Sequence, residues 1–146
     1  MEKVKPQSFE KHARLVPVFH FFVLPVLMIN LVWSLVDLKN GITAGSVRNL
    51  AVAAALMVLA VIARVFALSV QDRVIRMEMQ LRLERMLPAE LRPRIGEFAV
   101  EQLIGLRFAG DEELPGLARQ VLDEKLADRK TIKRRVKNWK PDYLRA

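Results

Sequence analysis

Two long apolar runs constrain this chain more than any other feature. From Leu15 to Leu38 the only charged side chain is Asp37, near the end, and from Leu50 to Val70 the only one is Arg64. A helix needs about 20 apolar residues to cross the hydrocarbon layer of a bilayer, and both runs are that long. A chain of 146 residues has room for one ordinary domain and could scarcely bury both stretches in a water-soluble core. Hydrophobic residues make up 52% and charged residues 27%, a combination that fits apolar and charged blocks kept apart along the chain. The expected fold class is all-α: a two-helix transmembrane hairpin, a helical stalk and a small cytoplasmic region of amphipathic helices.

The first run lies where a secretory signal would. Its 24 residues exceed the roughly 7–15 of a signal h-region, and SLVDLKNG has no small-residue cleavage site. The expectation is an anchor that is retained. Positive residues near the membrane ends then set the orientation. Lys3, Lys5, Lys11 and Arg14 precede the first run, and Arg73, Arg76, Arg82 and Arg85 follow the second, against only Lys39 and Arg48 between them. Both termini are therefore expected on the cytoplasmic side. The resulting plan is a tail over 1–14, a first span over 15–38, an outer loop over 39–48, a second span over 49–70, a stalk over 71–87 and a helical region over 88–146. Asn40-Gly41 is a turn signal, Ser46 is the expected N-cap of the second span, and Trp33 suits an interfacial aromatic belt.

Beyond Val70 the segment QDRVIRMEMQLRLERML has no Gly or Pro and is rich in good helix formers. Met77, Met79, Leu81 and Leu83 alternate as a strand would. The scarcity of β-branched residues and the spacing of Asp72–Arg76 and Glu78–Arg82 favour a helix. Val70, Val74, Met77 and Leu81 then form a seam at heptad spacing, a possible partner surface. Pro88 and Pro93 end the stalk. In DEELPGLARQVL, Asp111 is the expected cap, Glu112 and Glu113 suit a helix start, and Leu114, Leu117, Val121 and Leu122 mark a packed face.

FEKHARLVPVFH, the two spans, QDRVIRMEMQLRLERMLP, QLIGLRFAGDEELP and IKRRVKNWKPDYLR together resemble a bacterial family of two-span membrane proteins carrying a domain of unknown function. The resemblance covers nearly the whole chain, and LRFAGDEELP is its most specific piece. It implies a multi-pass protein of the bacterial inner membrane. It implies no activity.

Within the spans, Arg64 lies about two turns from the end of the second run, roughly 9–10 Å deep at 1.5 Å per residue. Its ordinary role is to snorkel to the headgroups; its functional role would be to face a protein partner or an acidic lipid, with His20 at a similar depth. His20 and His12 are the only histidines. A histidine in a span can hold haem or chlorin, but a ligand set needs more partners, and an ordinary hydrogen bond is the default. Pro17 and Pro25 shape the first span, and Pro25 should bend it. Asn30 needs an interhelical partner. Ala53, Ala60, Ala63 and Ala67, with Leu56, make a smooth helix-packing face on the second span.

Cysteine is absent, which removes disulfides, thiolate nucleophiles and cysteine-held metals. No phosphate-binding loop, metalloprotease or nucleophile-elbow motif occurs, so no catalytic residue and no metal ligand is assigned. The C-terminal residues 128–146 carry eight Lys or Arg against two acids. Anionic headgroups attract such segments at about 1 kcal/mol per cation. As a helix, Ile132, Val136 and Trp139 share a face ringed by Lys133, Arg134, Arg135 and Lys137, with Tyr143 beyond: the pattern of an interfacial foot. The leading expectation is a non-catalytic accessory or scaffold protein, a homo-oligomer or a subunit of a larger membrane complex, bound to anionic lipid. The alternatives are a cofactor-linked subunit of an electron-transfer or light-driven complex with His20 as ligand, and a membrane-tethered nucleic-acid binder. Nucleic acid is the least favoured partner.

Overall fold

The computed structural model describes residues 15–142. The tail over 1–14, including His12 and its basic residues, and Tyr143 at the other end lie outside the described residues. Among those described the fold is all-α, apart from a single antiparallel bridge between Ala109 and Trp139. The chain divides between Ser69 and Val70 into two compact units, an apolar hairpin and a helical domain.

The hairpin begins with a π-helical turn, Phe19–Val23, in which the Leu24 N–H reaches back to the Phe19 carbonyl. Pro25 follows at once. It has no N–H to donate, and its ring would press on the carbonyl four residues earlier. A widened turn is a known way for a helix to absorb such a defect, and it stands where the sequence predicts a bend. Helix α1 then runs Leu24–Asn40 and ends with the Gly41 N–H on the Asp37 carbonyl at 3.2 Å.

Only residues 41–43 separate α1 from α2, which runs Ala44–Met86. The cap of α2 is Thr43, three residues before the predicted Ser46. The Ser46 N–H donates to Thr43 Oγ1 at 3.0 Å, and the Thr43 N–H donates to Ser46 Oγ at 2.9 Å. This is the reciprocal logic of a capping box with a serine in the third position. Hydropathy marks where a helix becomes apolar, which here is well after it starts. The helix also passes Val70 without interruption, so second span and stalk are one element.

The turn-plus-α1 segment Phe19–Asn40 and α2 are each long and apolar enough to cross a membrane. Their large side chains point outward: Phe21 is 70% exposed and Trp33 68%. Ser34, Ser46 and Ala53 are the buried residues described in the hairpin. A water-soluble pair of helices would invert that distribution.

The helical domain contains the part of α2 from Val70 onward, a 3₁₀ turn Arg92–Glu97, α3 Val100–Leu106, α4 Leu114–Asp123 and α5 Arg129–Arg135. Its core gathers Leu83, Leu87, Leu103, Leu106, Leu114, Val121 and Ile132, all essentially without exposure. Helices α3 and α5 approach closely because Gly105 has no side chain: a Cβ there would lie 2.8 Å from Ile132. The buried Gln102 ties two segments together, accepting from the Ala99 N–H at 2.8 Å and donating to the Leu126 carbonyl at 2.9 Å. After α4, Lys125 takes a left-handed conformation (φ 51°). The Leu126 N–H then reaches the Val121 carbonyl and the Lys125 N–H the Leu122 carbonyl, a Schellman closure made without the usual glycine.

Candidate interaction surfaces

The stalk portion of α2 has two apolar faces. Ile75, Met79, Leu83 and Leu87 repeat every four residues and are buried in the domain core. The predicted seam is a different set: Val70, Val74, Met77 and Leu81 are all exposed, Met77 at 64%. At 3.6 residues per turn the two stripes lie on roughly opposite sides of the helix. The domain therefore packs on the back of the heptad seam and leaves the seam uncovered.

The expected pairs along the stalk are replaced as well. Arg82 turns to the domain, where its guanidinium donates to Asp111 Oδ1 at 2.6 Å and 3.0 Å and to the carbonyls of Ala109 and Arg107. Glu78 therefore has no ion pair with Arg82, and Asp72 has none with Arg76. Asp111 is not the cap of α4 either. It lies between Arg82 and Lys140, whose Nζ is 3.1 Å away. Hydrogen bonds from Arg82, then Lys140, hold the Asp111 carboxyl below the usual carboxylate range. Glu113, just ahead of α4, holds the C-terminal segment instead. Its Oε1 accepts from the N–H groups of Gly110 and Asn138, and its Oε2 from that of Lys137.

The basic C-terminal segment folds differently from an interfacial helix. Helix α5 stops at Arg135, and Val136 is already extended. Its start is fixed by Asp128, whose carboxylate accepts from the N–H and hydroxyl of Thr131 at 2.8 Å. The chain then runs alongside residues 108–110, with the Gly110 N–H on the Asn138 carbonyl at 2.8 Å and the Lys140 N–H on the Phe108 carbonyl at 2.7 Å. The Trp139 indole stacks on the fully buried Phe108 at 4.5 Å and 18°. The Arg107 guanidinium and Lys133 Nζ lie 4.6 Å and 4.9 Å from that ring's centre, within cation–π range. The stripe of Ile132, Val136 and Trp139 thus faces inward, and Lys133 is buried with it.

Several remaining cations are matched to carboxylates. Arg129 faces Glu101, Arg135 faces Glu124 and Lys140 faces Asp111. Arg134 and Lys137 are exposed. A cavity of about 420 Å³ lies among Ile75, Met79, Arg82, Arg107, Lys140 and Asp142. Its three cations each face an acid, the third pair being Arg107 with Asp142 at 3.5 Å. This arrangement clasps the C-terminal segment to α2 within the domain.

In the hairpin, Nδ1 of His20 lies 2.9 Å from the Val16 carbonyl and 3.1 Å from its N–H. Nδ1 is thus engaged by the backbone of its own first helical turn, and the ring touches Phe19 edge to face. Among the described residues it forms no hydrogen bond with Arg64, which is half-buried, and no group of three or more His, Asp or Glu is gathered as a metal site. Asn30 is exposed, and its carbonyl accepts from the Ser34 hydroxyl at 2.8 Å. The alanine face divides: Ala53 is fully buried, Ala60 half-buried, and Ala63 and Ala67 are exposed.

The chain belongs to a family of unknown function, DUF6526, which it matches over residues 1–146. No curated protein and no solved structure matches it.

Proposed function

We propose that the chain is a non-catalytic scaffold or accessory protein of the bacterial inner membrane. In this reading α1 and the first part of α2 span the bilayer, both termini are cytoplasmic, and the helical domain offers a docking surface at the membrane. The observation that carries the reading is the exposure of most large apolar side chains along α1 and the first part of α2, which needs lipid or protein to cover it. The asymmetry of Lys and Arg around the two spans supplies the orientation. The C-terminal clasp supports a domain held rigidly enough to present a fixed surface.

The absence of cysteine makes the test clean. Single cysteines at Ile42 in the connection and Glu112 in the domain are probed with a membrane-impermeant thiol reagent on intact cells. Ile42→Cys should react at once and Glu112→Cys only after the inner membrane is opened. Reversed labelling would overturn the orientation, and recovery of the chain outside the membrane fraction would overturn the whole reading. Purification from native membranes in mild detergent, with native mass, then identifies what accompanies it.

A further inference from the structure

We propose that α2 is the interface of a parallel homodimer, formed through the exposed seam of Val70, Val74, Met77 and Leu81. The inference deepens the scaffold reading by naming a partner, and rests on it for the parallel arrangement: two copies inserted with one orientation present their second spans side by side and pointing the same way.

Three observations converge on a second copy. First, the helical domain is packed on the opposite side of the stalk, so this face is left open by the fold itself. Second, the three-four spacing does not begin at Val70. In the sequence it runs back through Ala67 and Ala63, both exposed, giving six consecutive positions; further back Ala60 is half-buried and Ala53 fully buried in the hairpin, so the open stripe starts at Ala63. That is about two and a half heptads, longer than the stalk seam alone. The residues change as the environment does. Alanine dominates in the apolar run, where close backbone approach drives association. Valine, methionine and leucine follow in the stalk, where burial from water drives it.

Third, the flanking charges suit this register. With Val74 and Leu81 at a and Val70 and Met77 at d, Arg73 falls at g and Glu78 at e. In a parallel pair a g residue meets the e residue five positions further along its partner, so Arg73 faces Glu78 of the other copy, twice by symmetry. Both side chains are exposed, and neither makes an ion pair among the described residues. Glu78 is open because Arg82, its natural partner one turn on, is engaged by Asp111.

The test uses the full-length chain in native membranes. Single cysteines are placed along the seam (Val70→Cys, Val74→Cys, Met77→Cys, Leu81→Cys) and at the exposed off-seam Arg76→Cys. Under mild oxidation the seam variants should give a covalent dimer, strongest at positions 74 and 77, with Arg76→Cys yielding on the order of ten-fold less, as expected when the partner approaches only one face. Charge variants check the register. Arg73→Glu should lower the dimer fraction of the Val74→Cys chain, and Arg73→Glu with Glu78→Arg should restore it; each exposed pair can shift the equilibrium by up to about five-fold. Equal cross-linking at Arg76 and the seam, or none at any position, would overturn the dimer while leaving the scaffold reading intact. Failure of the double swap to restore the dimer would overturn this register. Loss of the scaffold reading would show separately, as a chain absent from the membrane fraction.

Discussion

At the scale of single residues, the C-terminal clasp depends on groups that composition alone does not reveal. Gly105 allows α5 to lie directly on α3, since a methyl group there would meet both Cβ and Cγ2 of Ile132 at 2.8 Å. Gly105→Ala should therefore destabilise the domain by about 1–3 kcal/mol through overpacking, outweighing the helix-propensity gain of under about 1 kcal/mol. A lowered thermal midpoint of the full chain in detergent is the expected readout; an unchanged or raised midpoint would show that α5 does not sit on α3. Acid should loosen the same clasp. The Asp111 carboxyl is depressed mainly by hydrogen bonds from Arg82 and Lys140, that of Glu124 by Arg135, and that of Asp128 by Thr131. A carboxyl depressed in the folded state contributes stability above its unfolded value, and that contribution disappears as pH falls through the folded value. Melts should thus be level from pH 7 to about 5 and decline below about 4, where ordinary carboxyls take up protons. The groups are largely exposed, so the decline should be gradual and reduced by salt.

At the scale of elements, α2 explains why its own sequence reads ambiguously. Met77, Met79, Leu81 and Leu83 alternate like a strand because two helical stripes are interleaved. Residues two apart on a helix are turned by about 200°, so Met77 and Leu81 face out while Met79 and Leu83 face the core. The heptad rule found the outer stripe, and only the domain packing shows that the inner one is the core face. The two should separate under mutation. Leu83→Ala should cost about 2–5 kcal/mol, the usual range for a fully buried leucine, whereas Leu81→Ala should leave the thermal midpoint of detergent-dispersed monomer nearly unchanged. Comparable losses at both sites would contradict the two-faced helix. The two long helices were legible, from apolar length in the hairpin and from propensity in the stalk, whereas the helix expected through Trp139 stops at Arg135. The partners of the helices were less legible. The stripe of Ile132, Val136 and Trp139 was visible as apolar, but a stripe does not say whether lipid or protein covers it. The answer lay in Gly105, Phe108 and Glu113, which are distant in sequence. Each looks ordinary until α5 lies on α3 and the 136–140 segment runs beside residues 108–110. Asp111 was misplaced for the same reason: a carboxylate ahead of a helix has a local use as a cap, and a non-local pair with Arg82 displaced it.

At the scale of the whole molecule, the proposed function sets two ways of holding a chain of net charge +8 at a membrane against each other. A polybasic foot would act through exposed cations, and at 1 M salt its attraction is screened to a range of about 3 Å. The geometry of the domain weakens that mode. Lys133 is buried, while Arg129, Arg135 and Lys140 face Glu101, Glu124 and Asp111. The aromatic Trp139 that would have entered the headgroups is stacked on Phe108 instead. What remains is apolar length: two helices long and apolar enough to cross a membrane, whose hold on lipid grows with buried area and does not respond to salt. Membranes washed with 1 M salt and then with alkaline carbonate should therefore retain the chain. A Lys130→Gln, Lys137→Gln variant, which removes two exposed cations, should be retained equally well. Release by salt alone would mean that the C-terminal segment opens from the domain to bind headgroups, exchanging the Phe108 stack and the Glu113 clasp for lipid. Release by carbonate after resistance to salt would instead assign the exposed faces of α1 and α2 to protein partners.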